Sequence, residues 1–333
     1  MKLSILITSY NLEEYISQAI ESVVKQNMPF EWELLIGDDG STDGTVDIIK
    51  QWIEKYPQNI KLVVDEHPEH HSKNGTRAAK NRARLLEKAN GDYIHFLDGD
   101  DAFVYENKLK NQVDILENPE FADCSCTGHN IIRALVNEGR EELYSAELPN
   151  SRRILKTEIA RGRYVHTDTI MFRKECKVLL LDPLYRDYLN DTFITYILMQ
   201  YGSMYYVNQA WSKYNITGEG LWTGRHKVYG YFRNVIIYDL KIHVNRSLKK
   251  ELEYQHLFDI RFILKNYKIE GEHESNILVD NLDTDIFSTT WLLYRINNLT
   301  FGEKFKREAF KLYIYTKATV RRIKNLFNKI LSK

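Results

Sequence analysis

The chain has 333 residues, 46 Lys and Arg against 46 Asp and Glu, and a hydrophobic fraction of 43%. That is enough chain for one large domain or two to three smaller ones with a sizeable core. Zero formal net charge argues against nucleic acid as a partner, three cysteines are too few for a disulfide framework, and no apolar run is long enough to span a bilayer.

Strand-like Leu3–Ile7 opens the chain without a charged leader and apolar stretch, which predicts no signal peptide and a cytoplasmic protein. Apolar runs at Leu3–Ile7, Leu34–Ile36, Leu62–Val64 and Tyr93–Leu97 are short and nearly continuous, as in strands buried on both faces of a parallel sheet. Helical patterns lie between them. Ile16, Ala19, Ile20, Val23 and Val24 share one face, as do Val46, Ile49 and Ile53. Ala78, Arg82, Leu85, Leu86 and Ala89 mark a third helix, closed by Asn90-Gly91. This alternation predicts a doubly wound α/β fold with a mainly parallel sheet. Further helices are expected near Asn107–Glu117 and Asp191–Tyr201, and a mostly helical, aromatic region from about His226 onward. The domain reading is residues 1–102, 103–225 and 226–333.

In such sheets ligands bind at the carboxyl ends of strands. Three polar turns follow strands here: Thr8-Ser9-Tyr10-Asn11, Asp38-Asp39-Gly40-Ser41 and Asp98-Gly99-Asp100-Asp101. Tyr10 could stack on a base and Thr8 hydrogen-bond to it, or the pair could simply end a strand. An Asp of the second turn could accept from a base N–H or a ribose hydroxyl, while Ser41, Thr42 or Asp43 caps the next helix. Three carboxylates within Asp98–Asp101 repel one another, and a hard cation such as Mg²⁺ or Mn²⁺ removes that repulsion. A solvated acidic turn would have the same sequence. Arg77 and Lys80 open the third helix, where they suit a phosphate or form a solvated face. His67, His70 and His71 read as a surface loop. Cys124, Cys126 and nearby His129 fit no common zinc spacing and read as buried groups.

The ordered set Ile-Thr-Ser-Tyr-Asn, Asp-Asp-Gly-Ser-Thr-Asp-Gly-Thr, Ala-Lys-Asn and Gly-Asp-Tyr-Ile-His-Phe-Leu-Asp-Gly-Asp-Asp closely resembles glycosyltransferase family 2. The match is strong over residues 1 to about 105 and weaker to about 225. The resemblance implies a GT-A fold and inverting sugar transfer from a nucleotide diphosphate donor, by family habit a UDP-sugar. It places Thr8, Tyr10, Asp39, Arg77, Lys80, Asp98 and Asp100 at the nucleotide and Asp100 and Asp101 at a Mg²⁺ or Mn²⁺ ion. The family often has Arg where Lys80 stands, and Lys lacks the bidentate fork. The implied catalytic base is Asp191, in Asn190-Asp191, where the family has an acidic pair. The bland alternative for Asp191 is a helix N-terminal acid stabilised by the dipole. Tyr214–Gly220 corresponds to a flexible loop beside the donor phosphates, without the family's usual Arg and His.

The implied acceptor is a glycan or lipid-linked glycan in bacterial surface-polysaccharide synthesis. The last thirty residues form a basic amphipathic segment, with Lys304, Arg307, Lys311, Arg321 and Arg322 among apolar residues. It suits peripheral contact with an anionic inner membrane face, a partner, or packing on its own domain. Two rival functions remain at this level. A nucleotidyltransferase is expected to carry a Gly-rich basic loop after the first strand, and Thr8–Asn11 is not one. A non-catalytic carbohydrate-binding protein on a degenerate GT-A fold is compatible with Asn190.

Overall fold

A computed structural model describes residues 1–64, 77–144, 148–216 and 229–266. They divide into two compact units, the first among the described residues from 1 to 216 and the second among residues 229–266. In chain order the first unit contains β1 (Leu3–Ser9), α1 (Ile16–Val24), β2 (Trp32–Asp38), α2 (Thr45–Lys55), β3 (Ile60–Val64), α3 (Arg77–Lys88), β4 (Tyr93–Asp98), β5 (Ala102–Phe103) and α4 (Lys108–Glu117). It continues with β6 (Cys124–Leu135), β7 (Arg140–Tyr144), β8 (Arg152–Ile154), α5 (Lys156–Ala160), β9 (Met171–Arg173), α6 (Lys177–Leu180), α7 (Asp191–Leu198) and β10 (Ser203–Ile216).

The sheet runs β3-β2-β1-β4-β9-β6-β10-β5, with β7 beside β6 and β8 beside β10. β3, β2, β1 and β4 are mutually parallel. β9 enters antiparallel between β4 and β6, and β10 runs parallel to β6. The expected α/β fold is therefore present, with its parallel portion in the first hundred residues and mixed pairing beyond. β1 lies in the interior of the sheet, flanked by β2 and β4, which accounts for its unbroken apolar run. β3 lies at the sheet edge, and only Ile60 and Val63 of its five residues are buried.

Helices cover both faces. Leu3, Ile5, Ile7, Leu34 and Ile36 form one cluster with Ile16, Ala19, Ile20 and Val23 of α1, Ile49 of α2 and Leu109, Val113 and Leu116 of α4. On the opposite face, α3 crosses β2 at Gly37, where a Cβ would stand 2.0 Å from Asn81 Oδ1. Asn81 Nδ2 donates to the Gly37 carbonyl at 2.7 Å, fixing the height of α3 over the sheet. The three cysteines are buried and free.

The expected helices are present at Lys108–Glu117 and Asp191–Leu198. One expectation is corrected: Tyr214, Asn215 and Ile216 are not loop but the end of β10, paired with Arg133, Ala134 and Leu135 of β6. Thr217–Gly220, His67, His70, His71 and the basic C-terminal segment lie outside the described residues. In the second unit α8 (Tyr229–Val244) packs against α9 (Lys249–Asn266), with the Tyr238 and His256 rings stacked 3.9 Å apart. Among the described residues no helix is long and apolar enough to cross a membrane.

Candidate active site

The parallel register brings the ends of β1, β2 and β4 level: Thr8 pairs with Gly37 and Asp98, and Ser9 with Asp38. Thr8 Oγ1 donates to Asp98 Oδ1 at 2.9 Å. After Asp98 the chain turns tightly. The Gly99 N–H donates to the Thr8 carbonyl at 2.9 Å, and a Cβ on Gly99 would approach that oxygen to 2.7 Å. The glycine between Asp98 and Asp100 is thus required by the closeness of β1.

The turn after β2 divides its two acids. Asp38 is a structural cap, accepting from the backbone of Gly40 and Ser41 and from Ser41 Oγ at 2.6 Å. Asp39 instead meets α3: Arg77 Nε donates to its Oδ2 at 3.0 Å and Arg77 Nη2 to its carbonyl at 2.6 Å. The Arg77 guanidinium also lies 3.9 Å from the ring centroid of Tyr10, a residue that is 44% exposed. Asn11 supports this corner in the left-handed region, φ 52°, which Asn tolerates. Its Oδ1 accepts from the Thr42 N–H and its own N–H donates to Ser41 Oγ, each at 2.8 Å. Thr8, Tyr10, Asp39 and Arg77 thus share the strand-end edge. Lys80 is half-buried and makes no hydrogen bond or ion pair among the described residues.

Arg82 holds the centre. It falls on the buried stripe of α3 with Ala79, Ala83 and Leu86. Its Nη2 donates to both oxygens of Asp98, at 2.8 and 3.0 Å, and its Nη1 to the Leu189 carbonyl at 3.2 Å. Nη2 also lies 3.9 Å from Asp191 Oδ1. Burial opposes its charge, but Asp98 and Asp191 hold the guanidinium firmly protonated. One cation thereby links the turn after β4 to the start of α7.

Asn190 is the N-cap of α7, its Oδ1 accepting from the Phe193 N–H at 2.9 Å. Asn caps as well as Asp, so an amide serves this structural position. Asp191 is the first helical residue. Its Oδ2 accepts from Tyr164 Oη at 2.6 Å and its Oδ1 from Thr167 Oγ1 at 3.0 Å. Burial pushes its pKa up, but His166, Arg82 and these two hydroxyls more than offset that and leave it below the ordinary carboxylate value. Asp191 is therefore a half-buried carboxylate kept ionised by its surroundings.

The other acids sit in the opposite condition. Asp100 is raised to about 7 by burial and by the charge of Asp98. Asp101, 1% exposed, is pushed well up by burial and by Asp168, itself raised by burial. The Asp101 Oδ1 accepts from the Asn215 N–H at 2.8 Å, and Asn215 Nδ2 donates to the Asp100 carbonyl at 2.6 Å. The end of β10 thereby closes over the acidic turn. The remaining oxygens, Oδ2 of Asp101 and Oδ2 of Asp168, are buried without a hydrogen-bond partner. His166 lies beside them, so oxygen donors and an imidazole converge in a form that fits a divalent cation.

Sequence reasoning missed Arg82, Tyr164, His166, Thr167, Asp168 and Asn215. Arg82 carried a usable signal, a cation on the apolar stripe of a helix preceding an acidic strand end. The others belong to segments whose placement depends on β9 inserting between β4 and β6 and on β10 pairing with β6.

The first unit is an α/β domain with an acidic site at the carboxyl edge of its parallel strands, faced by an ionised carboxylate from α7. The profile of glycosyl transferase family 2 matches residues 4–179, more than half of the chain. The chain belongs to that family. Among curated relatives, the putative glycosyltransferase EpsE of Bacillus subtilis is 38% identical over 172 residues, 52% of this chain and 56% of that protein. The putative teichuronic acid biosynthesis glycosyltransferase TuaG of B. subtilis is 38% identical over 129 residues, 39% of this chain and 47% of its own. The chain thus spans about half the length of these relatives. Among solved structures, S. aureus TarS 1-349 in complex with UDP-GlcNAc superposes with TM-score 0.63 over 97% of this chain and 92% of that one, at 20% identity. That likeness is one of fold.

Proposed function

We propose that this chain transfers a sugar, with inversion, from a nucleoside diphosphate donor to an acceptor hydroxyl in the assembly of a bacterial surface polysaccharide. The observation that carries this reading is Arg82, which ties the acidic turn after β4 to an ionised, hydrogen-bonded Asp191. The names of the curated relatives, including teichuronic acid biosynthesis, support the polysaccharide setting. UDP is the donor nucleotide of this reading, supported by the UDP-GlcNAc bound in the similarly folded S. aureus protein.

Tyr10, Thr8, Asp39 and Arg77 receive the nucleoside. Asp101, with Asp100 beside it, would hold a Mg²⁺ or Mn²⁺ ion, which would neutralise charge on the diphosphate. The acceptor oxygen forms a bond to the anomeric carbon as the bond from that carbon to the phosphate oxygen breaks. The proton leaves the acceptor hydroxyl for Asp191, and the electron pair of the broken bond leaves on the diphosphate. Tyr164 and Thr167 occupy Asp191 from the protein side and orient it for that single proton transfer. A lipid-linked acceptor and peripheral membrane contact through residues 304–333 belong to the same reading.

The test is a panel of nucleotide sugars incubated with Mn²⁺ and candidate polyol or glycan acceptors. Release of nucleoside diphosphate matched by a glycoside of opposite anomeric configuration is expected. Release of a sugar phosphate with no glycoside, or no turnover of any donor, would reject it.

Tyr164→Phe gives a sharper check on the base. Hydrogen bonds to charged groups contribute about 1.5–3 kcal/mol, and this one favours ionised Asp191. Its loss raises the Asp191 pKa, so the acid limb of the pH–rate profile should move to higher pH. A limb that stays in place or moves down counts against Asp191 as the proton acceptor.

A further inference from the structure

Three hydrogen-bond acceptors converge in the buried space behind the acidic turn. Asp101 and Asp168 are 1% and 0% exposed, and His166 is 9% exposed. Each carboxylate is aimed by a backbone N–H on its other oxygen: Asn215 donates to Asp101 Oδ1 at 2.8 Å, and Asp98 donates to Asp168 Oδ1 at 3.1 Å. Their Oδ2 atoms are left without a hydrogen-bond partner. His166 Nδ1 lies 3.5 Å from Asp168 Oδ2 and accepts only a long hydrogen bond, 3.3 Å, from the Asp168 N–H, which a cation bound at Nδ1 would replace. One carboxylate oxygen from each acid and a ring nitrogen of His166 lie within 4.8 Å of one another.

Lone pairs facing lone pairs in a dry interior are costly unless a cation or a proton lies between them. The wider charge balance points to a cation. Asp98, Asp100, Asp101, Asp168 and Asp191 face one another across the site, and Arg82 is already committed to Asp98 and Asp191. The frame around the pocket is well braced. Gln112 Nε2 donates to the Thr169 carbonyl at 2.9 Å, Ser212 Oγ donates to the Asp168 carbonyl at 2.9 Å, and Thr169 Oγ1 donates to the His166 carbonyl at 2.7 Å. Two carboxylates and an imidazole suit a manganese-type ion better than Ca²⁺ or Mg²⁺, which prefer oxygen alone.

We propose that Asp101, His166 and Asp168 form a preassembled divalent-cation pocket, which takes up Mn²⁺ before any nucleotide sugar arrives. His166 and Asp168 come from the turn preceding β9, so the ion ties that turn to the turn after β4. With three protein ligands, an ion of octahedral habit keeps positions for donor oxygens. The proposal rests on the metal part of the proposed function, but it is decided without measuring transfer.

The full chain, stripped with EDTA and dialysed, is titrated with Mn²⁺ alone. Binding is read by loss of the free-Mn²⁺ electron paramagnetic resonance signal. One Mn²⁺ per chain is expected without nucleotide, together with a rise in melting temperature. Asp168→Asn and His166→Gln should each weaken that binding by about tenfold or more. Tyr10→Ala, on the nucleotide side, should leave it unchanged while weakening UDP binding. Circular dichroism of the variants checks that they fold, and if Asp168→Asn does not, His166→Gln decides. Mn²⁺ taken up only in the presence of UDP would overturn the pocket. So would unchanged Mn²⁺ binding in a folded Asp168→Asn, the result expected if the two acids simply share a proton. Mn²⁺ binding with no transfer from any donor would leave the pocket standing and reject the function. Transfer with nucleotide-dependent metal alone would do the reverse.

Discussion

Asp191→Asn is expected to lower transfer by about 10²–10⁴-fold, the usual contribution of a general base, while UDP binding stays within about twofold of the parent, since Thr8, Tyr10, Asp39 and Arg77, proposed to receive the nucleoside, are untouched. The amide occupies nearly the same volume and cannot take the acceptor's proton. Its surroundings also oppose a benign replacement. Tyr164 Oη and Thr167 Oγ1 both donate to the carboxylate, at 2.6 and 3.0 Å. An amide accepts on one side only, so its NH₂ would face a hydroxyl oriented to donate. The variant also leaves Arg82 with one carboxylate fewer. Steady-state turnover and UDP titration on the same preparation check the result, and unchanged turnover would remove Asp191 from the mechanism.

The pH dependence follows from the same environment. Asp191 is held below the ordinary carboxylate pKa of about 3.9. A depressed carboxylate is ionised at all higher pH, so this group imposes no loss of transfer between neutrality and mildly acidic pH. Its stabilising contribution is present above the unfolded pKa and disappears as pH falls through the folded one.

The parallel-stranded portion was largely legible in the sequence because its signals are local. β1, β2 and β4 announce themselves as apolar runs, and α1 and α3 as apolar stripes, with periods of a few residues. A strand end followed by acids places Asp39 and Asp98–Asp101 on one edge from topology alone. The mixed-sheet portion from β5 to β10 depends on contacts across long separations. Asp168 reaches the site because β9 inserts antiparallel between β4 and β6. Asn215 reaches it because β10 is longer than its polar end suggests: Tyr-Asn-Ile-Thr-Gly reads as a loop, yet Tyr214–Ile216 pair with β6. Lys108 is the clearest case of a charge with no local signature. It begins an ordinary amphipathic helix, yet it is fully buried, bonded to His95 and donating to Gln112 Oε1 at 2.8 Å. Burial lowers its pKa well below that of an exposed lysine. Gln112 then passes the connection to Thr169, beside Asp168. No window of sequence contains that chain of contacts.

Arg82→Met is expected to be the most destabilising single change at the site. Arg82 is a buried cation, and its removal leaves Asp98 and Asp191 facing each other without it. Removing one partner of a buried ion pair costs about 3–5 kcal/mol. Asp98 retains 29% side-chain exposure and water can reach it, which favours the lower end of that range. At about 2–4 °C per kcal/mol for a domain of this size, the melting temperature should fall by at least about 6 °C. Arg82→Lys should recover part of the loss, since it keeps the charge, but not the simultaneous reach to Asp98 and the Leu189 carbonyl. Adding Asp98→Asn to Arg82→Met should destabilise less than the sum of the two single changes, because the stranded charge is gone. Activity should fall with stability but for a separate reason. Arg82 helps to keep Asp191 ionised, so its loss moves the acid limb of the rate profile upward even at temperatures where the variant is folded. A melting temperature within about 2 °C of the parent would mean that water carries these carboxylates and that Arg82 is not the hub of the site.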